Sequence, residues 1–263
     1  MIMKAALILM FLGVSTAHAG TCPSRTVAEE GGTHWCYSAG TLGHVHLWKP
    51  GSYDRARAVT IVYVHGYNLG DDGCSNAHYI DCAWKKHHLA TQFAKSGLNA
   101  LFVAVEGPVN DEQRAAWKLD PLLDSVRRKG GIKPPMPVVA MGHSGGIFTV
   151  ERFLDDDRLR HVIMLDAGYQ LAPKKIAAWY VGGTRRRLTL IGASGTYWTT
   201  GALGKKLGCD GKAPSTARCA MTIDEKIDHM RLIREARVMP HALTRIRQPS
   251  TPKPKPRRSH RRR

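Results

Sequence analysis

The clearest pattern along the chain is a series of short apolar runs separated by segments with helical spacing. The runs are residues 59–64, 98–105, 138–141, 161–165 and 188–193. Continuous apolar runs of this length are typical of buried strands in a parallel sheet. Residues 218–223 are a candidate for the last strand. Residues 44–48 alternate instead, which predicts an early, half-exposed strand with His44 and His46 on its polar face.

Helices are predicted between these runs. One is expected from Asp111 to about Arg128, with Asn110 as its cap and Pro121 marking a kink or a break. Others are expected from about Trp84, after residue 146, around residues 179–180 as a short lid over a site, and from residue 230. Strands that alternate with helices predict an α/β fold, with a mostly parallel central sheet covered by helices on both faces.

The first nineteen residues have the layout of a signal peptide: Lys4, an apolar stretch over residues 5–14, and small residues at Ala17 and Ala19. The apolar stretch is too short for a membrane anchor, and no later segment qualifies as a transmembrane helix. We therefore expect a secreted or periplasmic protein whose folded domain spans residues 20–244.

Six cysteines follow this predicted leader, and an even number is typical of disulfides in an oxidising compartment. Six cysteines allow fifteen pairings, but these fall into three local couples. The favoured pairs are Cys22 with Cys36, Cys74 with Cys82, and Cys209 with Cys219. A metal site is the alternative. It is disfavoured because no CxxC or HExxH spacing occurs, and His44 and His46 have no evident third ligand.

The formal net charge is +18, and nine basic residues with no acid lie between Arg245 and Arg263. Prolines interrupt this segment, so residues 245–263 are predicted to be a disordered basic tail. In an exported protein the natural partner is an anionic envelope polymer, bound by screened electrostatic attraction. Nucleic acid is less favoured by the compartment, and a solvated tail without a partner is the alternative.

The candidate chemistry centres on Gly142–His–Ser144–Gly–Gly146, which lies between a predicted strand and a predicted helix. A GxSxG turn in that context is a nucleophile elbow that lifts the serine hydroxyl clear of the sheet. The two outer glycines, Gly142 and Gly146, allow the helix and the strand to approach closely. An HGY sequence at residues 65–67 follows an earlier strand, and His229 follows the last one.

In these motifs and their order, residues 59–229 resemble the α/β-hydrolase superfamily. The resemblance implies hydrolysis without a cofactor, with Ser144 as nucleophile and a histidine after the last strand as base. His229 fits this position, and His241 is the alternative. The oxyanion hole would use the backbone N–H groups of Gly145 and Tyr67, and Gly66 would let the loop fold back towards the serine.

The acid of the triad has an unusual position. In the family the acid commonly follows the penultimate strand. Here that strand is predicted at residues 188–193, and no carboxylate follows it closely. Asp166 ends the preceding strand and keeps the order Ser144, Asp166, His229. Its alternative role is a cap or turn residue, while Asp228 is too close to His229 to orient it from the usual side.

These features predict a secreted serine hydrolase that cleaves a small-molecule or polymer ester through an acyl-enzyme intermediate. Tyr169, Trp179 and Trp198 are candidates for the substrate pocket, although such aromatics usually pack in the core or at its rim. The alternatives are an amidase or peptidase acting on envelope peptides, and a binding protein built on a hydrolase scaffold. No cofactor is expected.

Overall fold

The computed structural model describes residues 26–67, 79–107, 117–169, 172–209 and 218–249, together with Cys22 and Cys74. The predicted signal peptide lies outside the described residues, as does the basic tail from residue 250 onward. In the described part, no helix is both long and apolar enough to cross a membrane.

The described residues form nine strands that belong to one sheet. The strands are β1 (Val27–Glu29), β2 (Gly32–Ser38), β3 (His44–Pro50), β4 (Val59–Val64), β5 (Ala100–Val105), β6 (Val138–His143), β7 (Leu159–Leu165), β8 (Arg187–Gly192) and β9 (Cys219–Ile223). Their order across the sheet is β1-β2-β3-β5-β4-β6-β7-β8-β9. The six strands from β4 to β9 run parallel, and β1, β2 and β3 add an antiparallel edge. The mostly parallel sheet is therefore confirmed.

Helices cover both faces of this sheet. They are α1 (Tyr79–Lys86), α2 (Leu89–Lys95), α3 (Leu119–Arg128), α4 (Ile147–Glu151), α5 (Ala172–Val181), α6 (Tyr197–Leu207), α7 (Arg231–Arg234) and α8 (Val238–Leu243). Alternate residues of β4 enter two separate cores. Val62 and Val64 pack with α3, α4 and α5, whereas Ile61 and Tyr63 pack with α1, α2 and α8. A parallel strand buried on both faces needs apolar side chains at every position, which is what residues 59–64 supply.

Two helix predictions require correction. Helix α3 begins at Leu119, so Pro121 lies in its first turn, where a backbone N–H has no partner within the helix. Pro121 therefore fits a regular helix start and produces no kink there. The residues predicted to precede this start, 111–116, lie outside the described part. Helix α1 begins at Tyr79, five residues before the predicted Trp84.

The helix predicted to roof the site has a different position. In α5 the buried residues are Ala172, Ile176 and Trp179, which recur at helical spacing on one face. This face packs in the core shared with α4, and α5 also contacts α6. Helix α5 is therefore part of the layer that covers the sheet, rather than a lid.

The three predicted disulfide pairs are confirmed. Cys22 pairs with Cys36 of β2, Cys74 with Cys82 of α1, and Cys209 after α6 with Cys219 of β9. Their Cα–Cα separations of 5.6, 5.6 and 4.9 Å lie in the normal range for a disulfide. Each bond closes a short loop next to a strand or helix end.

The polar face predicted for β3 is buried, contrary to expectation. His46 is covered by α1 and donates from Nε2 to Asp81, with an N–O distance of 2.7 Å. Its Nδ1 lies 2.9 Å from Nε2 of His34, whose Nδ1 is 2.7 Å from Glu29. His44 also contacts Asp81 at 2.9 Å. The prediction failed because the buried partner, Asp81, lies on a helix distant in sequence.

A carboxylate only accepts hydrogen bonds, so the ring nitrogens of His34 and His46 that face Glu29 and Asp81 are the donors in those two contacts. Burial lowers the pKa of His46, against the hydrogen bond and the charge of Asp81, which raise it. Burial raises the pKa of Asp81, but hydrogen bonds from His46 and His44 and their charges hold it below its ordinary value. The Trp84 ring stacks on His34 at 4.3 Å.

We predict that Asp81→Asn lowers the free energy of unfolding at pH 7 by about 3 kcal/mol, because asparagine keeps only one acceptor oxygen and loses the negative charge that faces His44 and His46. The depressed pKa of Asp81 contributes stability above its unfolded value, near pH 4, and that contribution is lost as the pH falls through the folded-state pKa. Urea unfolding at pH 7 and pH 3 should therefore show a gap between wild type and variant that narrows in acid.

Asp124→Asn is the matched control, since Asp124 pairs with Arg127 and Arg128 on the surface of α3, where solvent screens the interaction. A loss of stability in Asp124→Asn equal to that in Asp81→Asn would contradict the role assigned to the buried network.

Candidate active site

The GHSGG segment forms a sharp turn between a strand and a helix. Strand β6 ends at His143, a 3-10 turn spans Ser144–Gly146, and α4 begins at Ile147. Ser144 has a φ of +50°, in the left-handed region that non-glycine residues rarely adopt. Strain of this kind is characteristic of a nucleophile elbow. The predicted arrangement of strand, turn and helix is confirmed.

The elbow glycines are required by close packing. A Cβ on Gly142 would lie 2.9 Å from the backbone of Ile147. One on Gly146 would collide with the carbonyl oxygens of Val64 and His65. Both contacts involve backbone, which cannot yield easily, so the turn accepts no larger residue at these two positions.

The loop after β4 lies directly against the serine. A Cβ on Gly66 would be 2.6 Å from Cβ and 3.2 Å from Oγ of Ser144. Gly66 has no positive φ, so what glycine provides at this position is space for the serine. The Tyr67 ring covers Gly145, whose added Cβ would lie 2.6 Å from it. The two residues predicted to form the oxyanion hole are therefore neighbours beside Ser144.

His65, the first residue of the HGY sequence, holds this loop in place. Its Nδ1 donates to the carbonyl oxygen of Gly66 at 2.5 Å, and its Nε2 accepts from the N–H of Gly107 at 2.8 Å. The carbonyl of Gly66 and the N–H of Tyr67 belong to the same peptide group. Because a trans peptide points its C=O and N–H in opposite directions, the hydrogen bond from His65 to this carbonyl turns the N–H of Tyr67 away from His65.

Asp166 is completely buried at the end of β7 and accepts hydrogen bonds from two segments, the loop at residues 193–196 and the loop that holds His229. Oδ1 accepts from the N–H groups of Ala193 and Thr196, both at 2.9 Å, and from the Thr196 hydroxyl at 2.7 Å. Oδ2 accepts from the N–H of Gly195 at 3.1 Å and from Nδ1 of His229 at 2.5 Å. Burial opposes the charge, but these donors outweigh it and lower the pKa of Asp166 to about 2.

His229 lies in the loop between β9 and α7. Its Nδ1 is engaged by Asp166, which leaves Nε2 as the nitrogen available for chemistry. The His143 ring stacks on His229 with 4.6 Å between centroids, and its Nε2 lies 3.3 Å from the His229 carbonyl oxygen. Burial, and then the neighbouring His229, hold the pKa of His143 well below its ordinary value, so His143 is a neutral support for the second ring.

Tyr169 packs beside the histidine. Its ring meets His229 edge-on at 6.2 Å. Burial and the charge of Asp166 raise the pKa of Tyr169, and the effect of the Ser144 side chain on its hydroxyl opposes that rise. Tyr169, Asp166 and His229 thus form one group next to the Ser144 turn, where the ring of His143 stacks on His229.

The other candidates lie elsewhere. His241 is exposed on α8, and Asp228 accepts from the N–H groups of Met230 and Arg231 as a helix cap. Trp179 is only 5% exposed in the core, which makes it unsuited to the substrate contact that was predicted. Trp198 is 75% exposed in the first turn of α6, next to the loop that binds Asp166.

The loop at residues 193–196 is the part of the site that the sequence analysis missed. A Cβ on Gly195 would lie 2.7 Å from the Tyr169 hydroxyl, 2.8 Å from Oδ2 of Asp166 and 3.3 Å from Nδ1 of His229. The available signal was a run of small and hydroxyl-bearing residues directly after a buried strand, which is suited to present backbone N–H groups to an anion.

Two groups of possible metal ligands occur in the described part, and both lie at the antiparallel edge of the sheet. One contains Cys22, Cys36 and His44, and the other Cys36, His46 and Asp81. Both include cysteine sulfur that is bound in a disulfide, and the carboxylate of Asp81 is engaged by His44 and His46. We interpret this cluster as a hydrogen-bonded network rather than a metal site.

No protein-family model and no curated protein matches the sequence. Solved structures do match. An S-formylglutathione hydrolase from Agrobacterium tumefaciens is 11% identical, with a TM-score of 0.52 over 84% of this chain and 98% of the other. A feruloyl esterase module from Clostridium thermocellum is also 11% identical (TM-score 0.51; 86% and 93% covered). A cold-adapted esterase from an Arctic intertidal metagenomic library is 13% identical (TM-score 0.51; 86% and 100% covered).

Identities this low speak for the fold alone. Together with the strand order, the helices on both faces and the turn at Ser144, they show that this chain has the α/β-hydrolase fold.

Proposed function

We propose that the protein is a serine hydrolase that cleaves carboxylic esters through an acyl-enzyme intermediate. The observation that carries this proposal is the buried Asp166–His229 pair beside Ser144, which lies in a strained left-handed turn. A serine hydroxyl is a weak nucleophile unless a base removes its proton, and a base needs a partner that fixes its tautomer. These residues supply both requirements in the chain order of the fold.

In the proposed reaction, Ser144 Oγ attacks the ester carbonyl carbon while His229 Nε2 takes the hydroxyl proton. The N–H groups of Gly145 and Tyr67 stabilise the negative oxygen that develops. The C–O bond to the alcohol then breaks, and His229 gives the proton to the departing alkoxide. A water molecule repeats the sequence, transferring its own proton to His229 and releasing the acid and free Ser144.

The electrostatics of the site suit this cycle. His229 becomes positively charged in each transition state, and Asp166 is ionised at any pH well above about 2 to compensate that charge. His143 is uncharged at its face, so no like charge opposes the imidazolium.

The ester preference is supported by the feruloyl esterase and the cold-adapted esterase among the similar structures. For substrate contact we propose Tyr169 at the serine and the exposed ring of Trp198 at the rim. The three disulfides support a secreted or periplasmic location, since such bonds persist in oxidising compartments.

Substitution of each triad member should abolish most hydrolysis of short p-nitrophenyl esters. We expect kcat to fall by roughly 10⁴ or more in Ser144→Ala and His229→Gln, and by roughly 10³–10⁴ in Asp166→Asn, because each removes a group needed in the transition state. Reaction of Ser144 with a fluorophosphonate probe would separate an enzyme from a binding protein on the same scaffold.

The controls are His241→Gln and Asp228→Asn, which should hydrolyse the esters within about two-fold of wild type. Wild-type turnover by folded Ser144→Ala would refute the proposal. Comparable turnover of matched p-nitroanilides would replace the esterase assignment by the amidase or peptidase alternative.

Gly66→Ala should lower kcat roughly 10²-fold with little change in KM, because the added Cβ would push the oxyanion loop and Ser144 apart. Gly201→Ala is the matched control: Gly201 lies in α6 with nothing near its Cβ position, so alanine should leave activity unchanged. Equal kcat values in these two variants would show that the loop does not approach the reacting atoms.

We further propose that the basic tail, residues 245–263, binds anionic envelope polymers. Removal of residues 251–263 should reduce retention on lipopolysaccharide at low salt and leave turnover of a soluble ester unchanged, because the attraction is electrostatic and screened within about 10 Å. The difference should shrink as salt rises. Equal retention of the full and shortened chains at low salt would count against a binding role.

A further inference from the structure

A cavity of about 350 Å³ lies at the amino-terminal ends of β6, β7, β8 and β9. Ser144 lies at the opposite, carboxyl-terminal end of these parallel strands. Five arginines from four segments of the chain line this cavity: Arg160, Arg185 with Arg187, Arg218 and Arg247. The described lining contains no carboxylate. We call this cavity the arginine pocket.

Arg160 and Arg187 are partly buried and the other three arginines are exposed. Bringing guanidinium groups together is unfavourable because like charges repel, most strongly where solvent does not screen them. The fold nevertheless holds them. Arg218 donates to the carbonyl oxygens of Tyr180, Gly183 and Arg186, and its guanidinium lies 4.7 Å from the Tyr180 ring centre. Burial, and next the charge of Arg247, lower the pKa of Arg187. A bound anion would offset the repulsion between the guanidinium groups and would favour the charged form of Arg187.

A buried histidine adds a polar atom to the lining. His161 is 3% exposed, and its Nε2 contacts the Thr189 hydroxyl at 2.9 Å. Its Nδ1 has no hydrogen-bond partner in the described part of the chain. Burial, and then Arg187, lower the pKa of His161 to about 3, so the ring is neutral at physiological pH. His161 therefore adds no further positive charge to the lining.

From this convergence of arginines on a cavity without carboxylates, we propose that the arginine pocket binds the phosphoryl group of an organic phosphate. The planar fork of arginine matches phosphate oxygens in pairs, which makes clustered arginines well suited to phosphate. The cavity is large enough for a small ligand, for which sites of about 300–1,000 Å³ are usual. Pro137, Val139 and Ile246 give it an apolar wall for the organic part.

Arg247 of the basic tail lines the pocket, but residues 250–263 of the tail do not suit the pocket as an occupant. Residues 250–263 contain lysines, arginines and one histidine but no acidic side chain, so they would be repelled by the arginines. The phosphoryl group must therefore come from another molecule, either a free phosphate ester or the headgroup of a lipid.

The arginine pocket is separate from the proposed catalytic site. Arg160 and Asp166 lie at opposite ends of β7, and six residues of extended strand span about 20 Å. A ligand in the pocket therefore lies far from Ser144, so its binding does not depend on the proposed hydrolase activity.

The test compares the full chain with the double variant Arg160→Gln/Arg185→Gln. The control is Arg127→Gln/Arg128→Gln, which removes the same charge from the surface of α3. Binding of sn-glycerol 3-phosphate is measured by calorimetry, and binding of phosphatidylcholine vesicles with and without phosphatidic acid by sedimentation, all at constant ionic strength. Thermal unfolding without ligand verifies that each variant folds.

We expect wild type to bind at least one probe, the pocket variant to bind it about ten-fold more weakly or worse, and the control to stay within about two-fold. Binding of glycerol 3-phosphate identifies a free phosphate ester as sufficient, whereas binding of phosphatidic acid vesicles alone identifies a lipid headgroup. Failure of wild type to bind either probe, or equal losses in the two variants, would overturn the proposal. Neither result would bear on ester hydrolysis.

Discussion

The candidate site depends on the burial of one charged group, the carboxylate of Asp166. A buried charge is strongly destabilising unless hydrogen bonds and an opposite charge compensate it. Here five donors do so, four from the loop at residues 193–196 and one from His229. The carboxylate thereby connects the end of β7, the loop between β8 and α6, and the loop after β9. These segments are distant in sequence and meet only when the three strands are in register.

This arrangement also explains why the site contains so many small residues. The backbone N–H groups that bind Asp166 must approach within hydrogen-bond distance, and the N–H of Gly195 does so in a space where a Cβ would strike Asp166 itself. On the other side of the serine, Gly66 and Gly145 leave room for Ser144 and the Tyr67 ring. Polar groups positioned by backbone are already oriented before any substrate binds, which is the condition for efficient electrostatic stabilisation.

Local sequence was sufficient for some of these features. The elbow at Ser144 is encoded within a dozen consecutive residues, so its strand, turn and helix could be predicted directly. Asp166 and His229 could be placed by chain order, because the ends of parallel strands meet at one edge of the sheet. The cysteine couples were predictable because each pair is close in sequence.

Long-range contacts could not be predicted in this way. Nothing near His46 in sequence indicates that Asp81 will cover it, and the burial of Trp179 follows from how α5 packs against α4 and α6. The support that His143 gives to His229 also joins residues far apart in the chain. In each case the sequence indicated the strand or helix that carries the residue, but tertiary packing determined which residue it contacts.

The two ends of the parallel strands are chemically different. At the carboxyl ends, backbone N–H groups converge on Asp166 beside Ser144. At the amino ends, arginines converge on a cavity, and one of them, Arg247, belongs to the start of the basic tail. Positive charge concentrated at one edge orients a protein on an anionic surface, because electrostatic attraction acts before contact. A protein bound to an anionic surface through this end of the sheet would therefore have Ser144 facing away from the surface. A substrate reaching Ser144 from solution and a phosphate held in the arginine pocket would occupy the protein at the same time without competing.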